Sequence, residues 1–336
     1  MPTPAFIPEF TGVTADIFRN EILPAGMPVV FRGLVRDWPV TQAALQSSDH
    51  LFEYLRRFDR GASVSTMFAP PSAKGRFFYN DDVSGFNFRS GTSKIVAALD
   101  YLASHRDDPE ASALAVQSVP VRGHLPGFQE DNRMPLLDPS VEARIWIGNR
   151  VIVAAHHDPS DNIACCIAGR RRFTLFPPDQ LPNLYVGPFE LTPAGAIISM
   201  VDFDNPDLAR YPRFAQAMEA AVVADLEPGD ALYIPYQWWH HVRSIEAINM
   251  LVNYWWEEGV RSAPRDAFLH AILALRDLPP THRAAWRTLF DHYVFLDNGP
   301  AAEHLAPERR GVLGDVTTDE ARSIRTALSR ALSRST

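Results

Sequence analysis

The sequence predicts a mainly β protein: a β sandwich or small barrel at its centre, a mixed region before it and helices after it. Three observations predict this. From about residue 112, short β-rich runs follow one another, ALAVQSV, ARIWIGNRVIVAA, NIACCIAG, RRFTLFPP, GDALYIP, HHVRSIE and INMLVNYWW. Many are parted by turns holding Gly, Pro, Asp or Asn, which is the rhythm of a sandwich or barrel. Before them the texture is mixed, and after about residue 262 the apolar spacing turns helical. The expected division is a mixed α/β extension at 1–110, a β core at 111–260 and a helical region at 261–336.

Taken in order, PVVFRGL (28–34) reads as a strand, and 49–58 and 93–105 carry helical spacing. Between those helices KGRFFYNDDVSGFNFRS is aromatic and rich in turns, more strand and loop than helix. The central runs follow as strands. Residues 264–277, 281–295 and 317–333 then read as helices, with Thr281 after Pro279-Pro280 as an expected N-cap and Thr317/Glu320 as a capping box.

Composition narrows the function. Forty acidic against 32 basic side chains leave a net charge of −8, which excludes a basic footprint for nucleic acid. Hydrophobic residues at 46% and charged ones at 21% suit a folded core and argue against disorder. No run of 18 apolar residues is present, so no membrane partner is expected, and MPTPAFIPEF lacks the basic and apolar regions of a secretory leader. The two cysteines, Cys165 and Cys166, are adjacent and cannot build a disulfide framework. They read as buried hydrophobes, and a reducing, cytoplasmic compartment is expected.

The sharpest local feature is AAHHDPSDN (154–162). Residues i and i+2 of a strand point to one side, so His156 and Asp158 would converge on one point. A second feature, GDALYIPYQWWHHVRS, places His240 after a turn and a strand. Alone, His-x-Asp reads as a surface turn, and a His beside two Trp as a packed core group. Together, each beside a β-run, they match the two-His-one-carboxylate set of non-haem Fe(II) oxygenases, which leaves positions open for O2 and a chelating co-substrate. His157 and His241 would then point away.

The strand after Gly169 adds a third observation. In RRRFTLF, Arg171, Phe173 and Leu175 share one face. If that face is internal, the Arg171 charge points inward and needs an anion. A dicarboxylate co-substrate is such an anion, gripped bidentately; an internal Asp or Glu, or a reversed face, are the alternatives on parity alone. Asn253 shares a face with Leu251 and Trp255, which makes it either a donor to a bound carboxylate or a satisfied core amide.

These stretches, HHDPSDNIACCIAGRRRFTLFPPDQLPNLY, VDFDNPD (201–207), PGDALYIPYQWWHHVRS and NYWW, together resemble the cupin-like branch of the JmjC oxygenases; PVVFRGLVRDWP resembles that family's entry segment. The likeness runs over residues 8–258 and is strongest over 145–256. It implies a double-stranded β-helix, or jelly roll. It implies an Fe(II)- and 2-oxoglutarate-dependent dioxygenase using O2, most simply a hydroxylase of a protein side chain or a small molecule. By position it implies His156, Asp158 and His240 as iron ligands, Arg171 where relatives often carry a Lys for the distal carboxylate of 2-oxoglutarate, and Asn162 and Asn253 as further co-substrate contacts. The C-terminal helices resemble a dimerising appendage and imply a homodimer. Three positions depart from the family's asparaginyl hydroxylases: Val153 replaces a co-substrate-binding Thr, Ala115 a co-substrate-binding Tyr, and Ile197 an Arg that contacts the target peptide. Gln117 stands at a retained substrate-contacting position. Asparagine hydroxylation is therefore not carried over. Two other readings stay open: a cupin-type metal enzyme that does not use 2-oxoglutarate, with Arg171 structural, and a silent metal-binding scaffold.

Overall fold

Alternation along the central strands sets the architecture. In Asp161–Ala168 (β10), Ile163, Cys165 and Ile167 turn to one side and Ala164 and Cys166 to the other, as a period of two requires. The first set packs with Leu51, Phe52, Leu55 and Leu99 from helices, the second with Phe173, Leu175, Ile234 and Leu251 from other strands. One strand thus serves two cores, and both cysteines are fully buried, free thiols.

The computed structural model describes residues 3–257 and 264–333, which divide into two units, Met1–Glu257 and Glu258–Thr336. The first unit holds two sheets. One runs in the order β1 (Ala5–Phe6), β12 (Val222–Leu226), β11 (Arg171–Phe176), β14 (Trp239–Ser244), β9 (Ile152–His156) and β5 (Arg76–Phe77). The other runs β2 (Glu9–Phe10), β3 (Val29–Phe31), β13 (Ala231–Ile234), β10, β15 (Asn249–Trp256), β8 (Ala143–Gly148), β7 (Ala113–Pro120), β4 (Ser63–Ala69) and β6 (Arg89–Lys94). Strands β8 to β15 supply two antiparallel layers of four, β12–β11–β14–β9 and β13–β10–β15–β8. Phe173, Leu175, Val242, Ile234 and Leu251 fill the space between them. This is the jelly roll.

Residues before 110 are woven into both sheets, β2, β3, β4 and β6 into the nine-stranded one and β1 and β5 into the six-stranded one. Helices α1 (Pro39–Gln46), α2 (Ser48–Phe58) and α3 (Ile95–Ser104) cover the outer face of the nine-stranded sheet through Val40, Leu51, Phe52, Leu55 and Leu99. Helix α3 starts at Ile95, later than its spacing predicts, because Arg89–Lys94 is engaged as β6.

The second unit holds α4 (Pro264–Leu275), α5 (Pro280–Tyr293) and α6 (Thr318–Leu332). The Thr317/Glu320 capping box is present at α6. Thr281 is not an N-cap: Pro280 takes the first helical turn, Pro279 precedes it as the cap, and Thr281 falls inside. The fixed φ of proline suits the first helical position, so the helix begins one residue earlier than the threonine suggests. The reading of 258–263 as core end and helix start lies outside the described residues. Among the described residues, no helix is long and apolar enough to cross a membrane.

Candidate metal centre

Strand β9 ends at His156, and the chain turns through Asp158 before β10 begins at Asp161. Strand β14 lies antiparallel beside β9 with His240 opposite His156, and the register slips immediately afterwards. The two imidazoles stand with ring centres 4.2 Å apart, and His240 Nε2 lies 3.5 Å from Asp158 Oδ2. One ligand atom from each of the three residues falls within 4.8 Å of the others.

The tautomers follow from the backbone. His156 Nδ1 lies 3.0 Å from the Ala154 carbonyl and His240 Nδ1 3.1 Å from that of Trp238. A carbonyl only accepts, so each Nδ1 carries a proton, and Nε2 is the nitrogen left to face the shared point with its lone pair when the ring is neutral. Burial, reinforced by His156, pushes His240 below the usual histidine range and keeps it neutral. A carboxylate with two neutral imidazoles is a donor set that suits a divalent first-row metal. His157 turns to Trp239, 4.8 Å between ring centres. His241 stacks on Phe203 at 4.5 Å and 13°.

A cavity of about 150 Å³ opens from this cluster into the space between the sheets. Gln117, His156, Asp158, Asn162, Arg171, His240 and Asn253 all line it, as do Val153 and Ala115. Ile197 does not; it packs with the cluster of Phe176, Leu184 and Trp239. Arg171 is 6% exposed, and burial lowers its guanidinium to about 10. Its Nε has no hydrogen-bond partner. Its neighbours on the opposite face find carboxylates, Arg170 with Glu246 at 2.7 Å and Arg172 with Asp225 at 3.5 Å. The strand parity is therefore inward for Arg171, and among the described residues no acid pairs with it.

Asn162 and Asn253 are hydrogen-bonded to one another, Asn253 Nδ2 to Asn162 Oδ1 at 3.2 Å. Two tryptophans that sequence reasoning did not place in the site complete its wall. Trp146 Nε1 donates to Asn253 Oδ1 at 2.7 Å, and Trp255 Nε1 to Asp158 Oδ2 at 3.1 Å. Trp255 had a sequence signal, since period two puts it on the face of Asn253. Trp146 had none.

Two imidazoles and a carboxylate at the mouth of a jelly roll, with a buried cation deeper inside, define the JmjC-type class of cupin-like oxygenases. The chain belongs to the cupin-like family, whose domain model matches residues 14–262. Jumonji C domain-containing protein 5 of Drosophila melanogaster is 26% identical over 252 residues, 75% of this chain and 60% of that protein. Lysine-specific demethylase 8 of Danio rerio is 26% identical over 265 residues, 74% of this chain and 58% of the relative. HSPB1-associated protein 1 of Homo sapiens is 37% identical over 120 residues, 34% of this chain and 24% of its own length. The chain thus spans less than two thirds of each.

Proposed function

We propose that the protein is an Fe(II)- and 2-oxoglutarate-dependent dioxygenase that hydroxylates a carbon of a protein side chain or a small molecule. The observation that carries this is Arg171: a buried cation with an unpartnered Nε, in the same cavity as His156, Asp158 and His240. A buried unpaired charge is too costly to be idle, and a dicarboxylate reaching from the metal centre would pair with it.

Fe(II) bound by His156, Asp158 and His240 would supply the redox chemistry that couples O2 and 2-oxoglutarate to substrate C–H hydroxylation, with succinate and CO2 released. The chain's own part is binding and exclusion. The three ligands hold one side and leave the cavity side open. Arg171 anchors the far carboxylate with a bidentate fork, which replaces what a Lys with neighbouring hydroxyls does elsewhere in the family; Val153 and Ala115 offer none. Asn162 and Asn253 each keep a second amide N–H for the co-substrate. Phe173, Ile234 and Leu251 keep water out. On the rim, β7 slips register between Val116 and Val119, with Ser118 at φ 48°. Such a bulge re-aims a side chain, and Gln117 is the side chain it delivers to the cavity. We assign Gln117 to substrate contact. The demethylase name of the Danio rerio relative fits the same step, since hydroxylating an N-methyl carbon leads to its loss as formaldehyde.

Succinate formation from 2-oxoglutarate, with Fe(II) and ascorbate and no prime substrate, tests the reading. Slow turnover is expected from the wild type and none from His240→Ala. Metal and 2-oxoglutarate binding without succinate would favour a scaffold; metal binding without 2-oxoglutarate binding would favour a cupin-type enzyme of another kind.

A further inference from the structure

We infer that Trp146 and Trp255 are positioning residues for the Asp158 carboxylate, Trp255 directly and Trp146 through a one-way chain of two amides. The inference rests on the metal-centre reading above. The direction of the chain follows from its ends, because an indole N–H only donates and an ionised carboxylate only accepts. Trp146 Nε1 donates to Asn253 Oδ1 at 2.7 Å. With its oxygen engaged, Asn253 turns its nitrogen to Asn162 Oδ1 at 3.2 Å. Asn162 then offers its nitrogen to Asp158 Oδ2 at 3.4 Å. Trp255 Nε1 donates to that same oxygen at 3.1 Å.

Reversing either amide would set oxygen against oxygen, or N–H against N–H, at two consecutive links. Asn162 and Asn253 are 5% and 1% exposed, so little water is at hand to relieve a reversed amide. Strand register brings the members together: β10 and β15 set Asn162 opposite Trp255, and β15 and β8 set Leu251 opposite Trp146, which leaves Trp146 diagonal to Asn253. The two indoles meet edge to face at 5.8 Å and brace each other. Asp158 lies past the end of β9, so the strand register that sets His156 opposite His240 does not extend to its side chain. The two donors supply that missing constraint and hold Oδ2 3.5 Å from His240 Nε2.

The test uses the full chain and Co(II) as probe metal, with affinity read by calorimetry and ligand geometry by the visible d–d bands. Groups that orient metal ligands typically change affinity about 10- to 100-fold. Trp255→Phe, which keeps a ring and removes the donor, is expected to weaken Co(II) binding about 10-fold or more and to shift the bands. Trp146→Phe is expected to weaken it about 3- to 10-fold in the wild-type background, and not at all when Asn162→Ala has already cut the chain. Apo melting temperatures should stay close to wild type, and if Trp146→Phe does not fold, Trp255→Phe decides. Wild-type Co(II) affinity and bands in both Phe variants would overturn the inference alone, as would an undiminished effect of Trp146→Phe in the Asn162→Ala background. A wild-type chain that binds no Co(II) would overturn the metal-centre reading with it.

Discussion

Arg171 sets two demands against each other. Without an anion, its buried guanidinium, pushed down to about 10 and with Nε unpartnered, weighs against folding; with one, it would gain the ion pair it lacks. Arg171→Met keeps the volume and removes the charge. The apo protein should melt at the same temperature or higher, because replacing a buried ion by a packed apolar group is often neutral or stabilising. The same variant should lose about 2–5 kcal/mol of 2-oxoglutarate affinity, the range for removing one partner of a buried charge pair, or roughly 30-fold and upward. Calorimetry and a thermal melt read the two effects separately, and unchanged 2-oxoglutarate affinity would move the anchor elsewhere. At this scale the sequence was legible wherever period two acts alone. Arg171 with Phe173 and Leu175 needed only that rule, whereas Asp158 lies past the end of β9 and meets His156 through the segment that follows the strand. The partners of Trp146 and Trp255 lie 107 and 97 residues away in the chain, set by register between strands, and no local pattern encodes them.

Among the elements, the turn from β10 to β11 controls where Arg171 enters the cavity. Gly169 sits there at φ 71°, and a Cβ on it would lie 2.6 Å from the Ile248 carbonyl and 2.3 Å from Asn249 Oδ1. Asn249 is itself buried and donates to the Asn149 carbonyl at 3.1 Å, so it has little room to yield. Gly169→Ala combines a left-handed backbone with overpacking and should cost about 2 kcal/mol or more. A lower urea midpoint with an unchanged slope is expected; an unchanged midpoint would mean the turn relaxes freely. The turn before β13 depends instead on Asp230, whose carboxylate accepts from the Gly33 and Glu227 amides at 2.9 and 3.0 Å and from Arg32. Asp230→Ala strands these donors and should cost about 2–4 kcal/mol by the same denaturation measurement. The strands of NIACCIAG, RRFTLFPP and INMLVNYWW were plain in the sequence, but β12, VVADL, was not, although it carries two adjacent valines. Strands β4 and β6 were not plain either, because SVSTMFA and RSGTSK are rich in small polar residues, and β6 is largely exposed at a sheet edge where no burial imposes a pattern.

At the scale of the whole molecule, the two units differ in what they bury. Residues of the first fill several cores, whereas none of the three long helices of the second has a buried residue. Leu273 is 80% exposed and Phe295 64%, and Phe268, Trp286, Leu289 and Leu328 are exposed as well. Helices of this kind carry an apolar stripe that has to be covered, and so large an apolar display marks an interaction surface. We propose that a second copy of the chain covers it. A two-fold contact is isologous, so each helix pair would meet the same residues of its mate. A permanent contact should bury well over about 1,200 Å² in total, and the exposed side chains of α4, α5 and α6 are the surface it would use. Light scattering at micromolar concentration should show a dimer for the full chain and a monomer for a chain ending at Glu257. Trp286→Glu and Leu289→Glu should split the full-length dimer without lowering Co(II) affinity, since every ligand lies in the first unit. A monomeric full-length chain would reject the proposal, and a truncated chain that stays dimeric would place the interface on the jelly roll instead.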